Sequence, residues 1–177
     1  MFSSSPIPVA ILGATGSVGQ RFVSLLDNHP LFQVVALAAS DRSEGKPYAQ
    51  ACRWILSEPM PAWAREMALL PCTPQTMPEV KIVFSALPSE QAKSLEPEFA
   101  AAGFAVCSNA SSYRTESDVP LLLPEVNAEH IHLVRHQRLA RGWSGCIITN
   151  PNCTSTGLTV ALKALHDAFG LKRAFVV

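Results

Sequence analysis

A single cysteine, Cys153, stands in "TNPNCTSTG", with asparagines before it and small polar residues after it. Just ahead, "CIITN" reads as a short buried strand, and Pro151 forces a turn. Behind it, "TSTGLTVALKAL" carries a helical apolar pattern, so Cys153 falls at or beside a helix start. The dipole and free N–H groups of such a position favour a thiolate. Asn150 and Asn152 put amide donors beside the sulfur, where a thioester or hemithioacetal oxygen would sit. The competing reading is a structural thiol that happens to begin a helix.

Gly13, Gly16 and Gly19 form "GATGSVG". Before a helix, the first allows a tight turn, the second lets a phosphate approach, and the third lets helix and strand pack closely. The spacing is G-x-x-G-x-x-G, a variant of the dinucleotide fingerprint. Downstream, "ASDRSEGK" offers Asp41 for a ribose 2′-hydroxyl, but Arg42, Ser43 and Lys46 around it suit a 2′-phosphate, which favours NADP over NAD. A solvated polar loop would fit the same residues. In "SNASSYR", Asn109 and Ser111 are candidates to touch nucleotide or reacting group. Arg114 there is either an anion clamp or a partner for a nearby acid. Glu125, in "VPLLLPEVN", is open between a substrate-pocket role and a packing anchor. The histidines offer no evident base for Cys153. His132 and His136 share a helix face without a third ligand, so no metal site is expected.

These residues need elements to hold them. "PVAILG", residues 8–13, is a buried strand. The next segment places Val18, Phe22, Leu25 and Leu26 on one helical face, and "FQVVALAAS" is a second strand. Strand, helix and strand in succession make a βαβ unit and imply a parallel sheet. Five prolines (59, 61, 71, 74 and 78) predict irregular chain with at most a short strand or one helical turn. "KIVFSAL" is a strand, followed by a helix capped by Ser89, closed by Gly103, and kinked or split at Pro97. "FAVCSNA" and "GCIITN" are strands, "AEHIHLVRHQRLAR" is helical, and "KRAFVV" reads as a last strand. The expected fold is α/β, a Rossmann-type parallel sheet with flanking helices.

Hydrophobic residues make up 48% and charged residues 16% of the 177, a globular composition. Lys+Arg and Asp+Glu are both 14, which argues against nucleic acid or an anionic membrane as partner. No apolar run has membrane-span length, and no signal peptide is read at the N-terminus. The five cysteines include no C-x-x-C pair, so free thiols in a reducing cytosol or organelle stroma fit, and a cytoplasmic protein is expected.

Together, "ILGATGSVGQRF", "LAASDRSEGKPY", "FSALPS", "SNASSYR", "LLLPEVN" and "TNPNCTS" resemble the aspartate-semialdehyde dehydrogenase family, its archaeal and fungal-type branch. The resemblance implies an NADP-dependent, phosphorylating enzyme that reduces L-aspartyl-4-phosphate, on the route to lysine, threonine and methionine. It makes Cys153 the nucleophile that forms a thioester, Asn152 the active-site asparagine and Arg114 the phosphate-binding arginine. It assigns the pyrophosphate turn to Gly13, Thr15, Gly16, Ser17 and Val18, and the 2′-phosphate loop to Ser40, Arg42 and Ser43. Ser85, Leu87, Pro88 and Asn109 complete the implied cofactor site. The expected division is an NADP-binding domain over 1–150 and the start of a catalytic and dimerisation domain over 151–177. The family's second domain carries a glutamine, an arginine and a histidine that have no counterpart here. The expectation is therefore a fragment with little turnover alone, exposing the apolar face of the cysteine helix, from a homodimer or homotetramer. Rival readings are malonyl-CoA reductase of the same branch, the more distant N-acetyl-glutamyl-phosphate reductase, and a nucleotide-binding module without catalysis.

Overall fold

The computed structural model describes residues 5–176. Its centre is a six-stranded sheet in the order β3-β2-β1-β4-β5-β6, parallel throughout. The elements run β1 (Ile7–Leu12), α1 (Ser17–Leu25), β2 (Phe32–Ala39), α2 (Tyr48–Ala51), α3 (Ala62–Arg65) and β3 (Leu70–Pro71). Then come β4 (Ile82–Ser85), α4 (Ser89–Ala101), β5 (Ala105–Ser108), α5 (Pro124–Asn127), α6 (Leu133–Arg141), β6 (Cys146–Thr149) and α7 (Cys153–Phe169). The direction of winding reverses between β1 and β4, and open parallel sheets bind ligands at the carboxyl ends of the strands beside such a reversal.

Alternation along β1 divides the core in two. Val9 and Ile11 face a layer with Val23, Leu26, Val34, Leu37, Tyr48 and Leu69. Ala10 and Leu12 face the other layer, with Val83, Phe99, Val106 and Ile147. Both layers are buried, as a parallel sheet requires. The outer edge of β6 is covered locally: the Gln137 side chain donates to Ile147 O (3.0 Å) and accepts from Ile147 N (2.8 Å). Next to it, Thr149 N donates to Pro120 O and Leu122 N donates to Thr149 O. A side-chain amide and an extended loop thus take the place of a seventh strand.

Several local expectations needed tertiary correction. In α1 the buried residues are Gly19, Gln20 and Val23, whereas Val18 and Leu25 are exposed, so the inward face is rotated from the one expected. Close packing of Gly19 against the preceding turn sets that rotation. The proline-rich stretch yields both a helical turn, α3, and a two-residue strand, β3. Pro97 does not split α4, which runs unbroken over 13 residues. The helical donor that proline lacks would serve Lys93 O, and the Tyr113 hydroxyl donates there instead, at 2.6 Å. Ser89 is the first helical residue rather than the cap. Its hydroxyl pairs with that of Ser111 at 2.9 Å. Residues 171–176 form no strand, having no neighbouring strand to pair with.

Candidate active site

The phosphate turn follows β1. Gly13 is left-handed, with φ +72°, and a Cβ there would lie 2.8 Å from Ala86 O. A Cβ on Gly19 would lie 2.2 Å from Gly13 O, so this glycine permits the helix–strand contact. Gly16, by contrast, has only Gly13 O near its Cβ position, at 3.5 Å. That side is open for a ligand. Gly16 caps α1 without a side-chain hydrogen bond, and the first turn carries no acidic residue, so its N–H groups suit an anion. A groove of about 440 Å³ runs along this turn, lined also by Ser40, Leu87, Pro88 and Gln91. These features fit a dinucleotide pyrophosphate.

Not every expected cofactor residue lines the groove. Ser85 is fully buried beneath it, its hydroxyl unpartnered. Arg42 is exposed on a 3-10 turn, where its carbonyl accepts from Lys46 Nζ at 2.9 Å. Gln91 escaped sequence reading because a polar residue on a helix carries no signal for which loop it will face.

Beside the groove lies a cleft of about 660 Å³, and Val18 lines both. The cleft gathers Asn109, Arg114, Asn150, Asn152 and Cys153, with Leu122, Leu123 and Pro124 as its apolar wall. Cys153 is the first residue of α7 and is exposed. Asn152 is the cap, its Oδ1 accepting from Thr154 N at 2.9 Å. Arg114 reaches across two strand ends: Nε donates to Asn150 O (2.9 Å) and Nη2 to Asn109 O (2.8 Å). The side chains of Asn150 and Asn109 also bond to each other. Arg114 therefore holds a neutral backbone frame rather than a nearby acid. Glu125 is exposed on α5 and outside the cleft lining, while Asn127 ties that segment through Leu121 O and Leu123 N.

The other thiols are shielded. Cys107 is pushed up to about 11 by burial, with the neighbouring Cys146 thiol adding to the effect. Burial also raises Cys52, Cys72 and Cys146. Among the described residues no cluster of three or more His, Cys, Asp or Glu could hold a metal, and no helix is long and apolar enough to cross a membrane. A further hollow, of about 590 Å³, lies at the amino-terminal ends of β1 and β2, the wrong end of the sheet for such a ligand.

A doubly wound sheet, a glycine turn opening a helix and an adjoining cleft with an exposed thiol define a nucleotide-binding α/β protein. The profile of the semialdehyde dehydrogenase NAD-binding domain matches residues 8–134, and the chain belongs to that family. It is 48% identical over 170 residues to the aspartate-semialdehyde dehydrogenase of Methanothermobacter thermautotrophicus, covering 96% of this chain and 49% of that protein. It is 47% identical over 163 residues to the enzyme of that name from Schizosaccharomyces pombe, covering 92% and 46%. The crystal structure of Candida albicans aspartate semialdehyde dehydrogenase with NADP superposes with a TM-score of 0.85 at 43% identity, covering 94% of this chain and 48% of that one. The chain thus spans about half the length of the curated relatives it matches.

Proposed function

We propose that this chain is the NADP-binding and nucleophile-bearing part of an aspartate-semialdehyde dehydrogenase. The observation that carries this reading is Cys153 at the start of α7, in a cleft that shares Val18 with the dinucleotide groove. In this reading the Cys153 sulfur attacks the acyl carbon of L-aspartyl-4-phosphate, the C–O bond to phosphate breaks, and a thioester forms. The glycine turn, with Leu87 and Pro88 along the same groove, would hold NADPH, which would supply the hydride that reduces that thioester. The free N–H groups at the start of α7 steady the developing oxyanion, and the sulfur leaves as thiolate when the aldehyde forms. Arg114 and Asn109 hold the cleft in register, and Arg114 offers its remaining N–H to the phosphate. Ser40, Arg42 and Ser43 meet the 2′-phosphate.

Residues 1–150 act as the cofactor domain, and 151–177 begin a second domain that supplies the acid–base group and the substrate carboxylate clamp. The complete enzyme is a cytoplasmic homodimer or homotetramer. The test is to incubate the full-length protein with NADP, phosphate and aspartate semialdehyde and follow NADPH absorbance. A signal abolished by Cys153→Ala is expected. No signal, together with oxidation of NADPH by malonyl-CoA, would overturn the substrate assignment.

A further inference from the structure

Beneath the phosphate turn lie polar side chains to which the reaction assigns no task. Gln20, on α1, is 2% exposed, and Tyr48, on α2, is fully buried. Tyr48 OH donates to Ala14 O at 2.8 Å. Gln20 Nε2 donates to Thr15 O and to Arg53 O, each at 3.0 Å, while its Oε1 accepts from Ile55 N at 2.8 Å. Two successive carbonyls of the glycine turn are thus held from the interior by donors on separate elements. Burial holds the Tyr48 hydroxyl well above the usual tyrosine range, so it stays a donor.

The geometry has a consequence on the open side. In a trans peptide the N–H points opposite to the C=O, and the described chain contains no cis bond. With Ala14 O drawn inward to Tyr48, the Thr15 N–H turns outward toward the groove that Thr15 lines. Among the described residues that N–H has no backbone acceptor. Drawing both carbonyl oxygens inward also removes their negative ends from the place where a pyrophosphate would lie.

We propose that Tyr48 and Gln20 are positioning residues for the dinucleotide, setting pyrophosphate affinity through the Ala14–Thr15 backbone without touching the ligand. The inference rests on the NADP reading of the groove. It is tested by calorimetry on the full chain, comparing NADP with adenosine 2′-phosphate, which lacks the pyrophosphate.

Tyr48→Phe keeps the ring and removes the donor. It is expected to weaken NADP by about tenfold while leaving adenosine 2′-phosphate unchanged. Gln20→Met carries the same expectation and serves if Tyr48→Phe melts below the assay temperature. Ile147→Val, a buried change remote from the turn, controls for general loosening and is expected to alter neither ligand. NADP binding equal to wild type in both variants overturns the inference alone, and so does an equal loss for both ligands. A wild-type chain that binds no NADP overturns the cofactor reading and the inference together.

Discussion

The phosphate turn and the cysteine turn are built alike and supported differently. Each follows a strand, each opens a helix, and neither helix has an acid in its first turn. Yet α1 buries Gly19, Gln20 and Val23, whereas α7 has no buried residue along its 17. A Cβ on Gly19 would strike Gly13 O at 2.2 Å, while Gly157, in α7, has nothing within 4 Å. Leu158, Val160, Leu165 and Phe169 are exposed, as the sequence led us to expect of the cysteine helix. Within this chain the same local grammar thus yields one helix packed on the sheet and one whose side chains stay exposed.

Gly19→Ala breaks the comparison at its strongest point. It should cost about 3 kcal/mol or prevent folding, because the new methyl meets backbone that cannot yield. Thermal melting reads the effect, and a melting point within a degree of wild type would refute the packing argument.

A smaller effect lies beneath the neighbouring strand ends. Glu96 is fully buried, its Oε1 accepting from Ser108 Oγ at 2.7 Å, and the Ser85 hydroxyl is its other polar neighbour. Burial raises its carboxyl. Between the ordinary glutamate range and that raised value, the folded state therefore holds a proton that the unfolded state has released. This stabilisation is complete below the ordinary glutamate range and is lost as pH rises through the folded value, by at most about 1.4 kcal/mol per pH unit. Glu96→Gln, a neutral isostere, should flatten that slope in denaturant titrations across pH. A slope unchanged by the substitution would mean Glu96 is ionised in the fold.

On α7 two changes should act in opposite directions, each by about 1 kcal/mol. Asn152→Ala removes the cap, and Gly157→Ala adds helix propensity in open space. Both belong in amide exchange along α7, since little of the core depends on this helix. If Gly157→Ala also moved the global melt, α7 would be more tightly coupled to the sheet than its exposure indicates. The smallest stability effect is expected for Cys153→Ser, within about 0.5 kcal/mol by melting, together with loss of NADPH formation by the full-length enzyme. A stability cost of several kcal/mol would return Cys153 to the structural reading.

Much of this was legible because it is local. Apolar β-branched runs announced five of the six strands, glycine spacing announced the turn that opens α1, and Pro151 with the apolar pattern after it announced the start of the cysteine helix. Failures came where a distant residue intervened. Pro97 sits in an unbroken helix because the Tyr113 hydroxyl serves the carbonyl its ring leaves unpaired. Val18 turned outward because Gly19 had to meet Gly13. Gln20 and Tyr48 drew no reading from the sequence, since nothing nearby marks them as donors to Thr15 and Ala14.

The sequence by itself determined the βαβ alternation, the family and the residue types of each turn, because period, branching and turn residues act within a few positions of themselves. Only the tertiary structure decided that groove and cleft meet at Val18 and that Arg114 joins the ends of β5 and β6. It also decided which polar groups are held from below. Those outcomes depend on which strands become neighbours, and that pairing is set by burial over the whole chain rather than by any one segment.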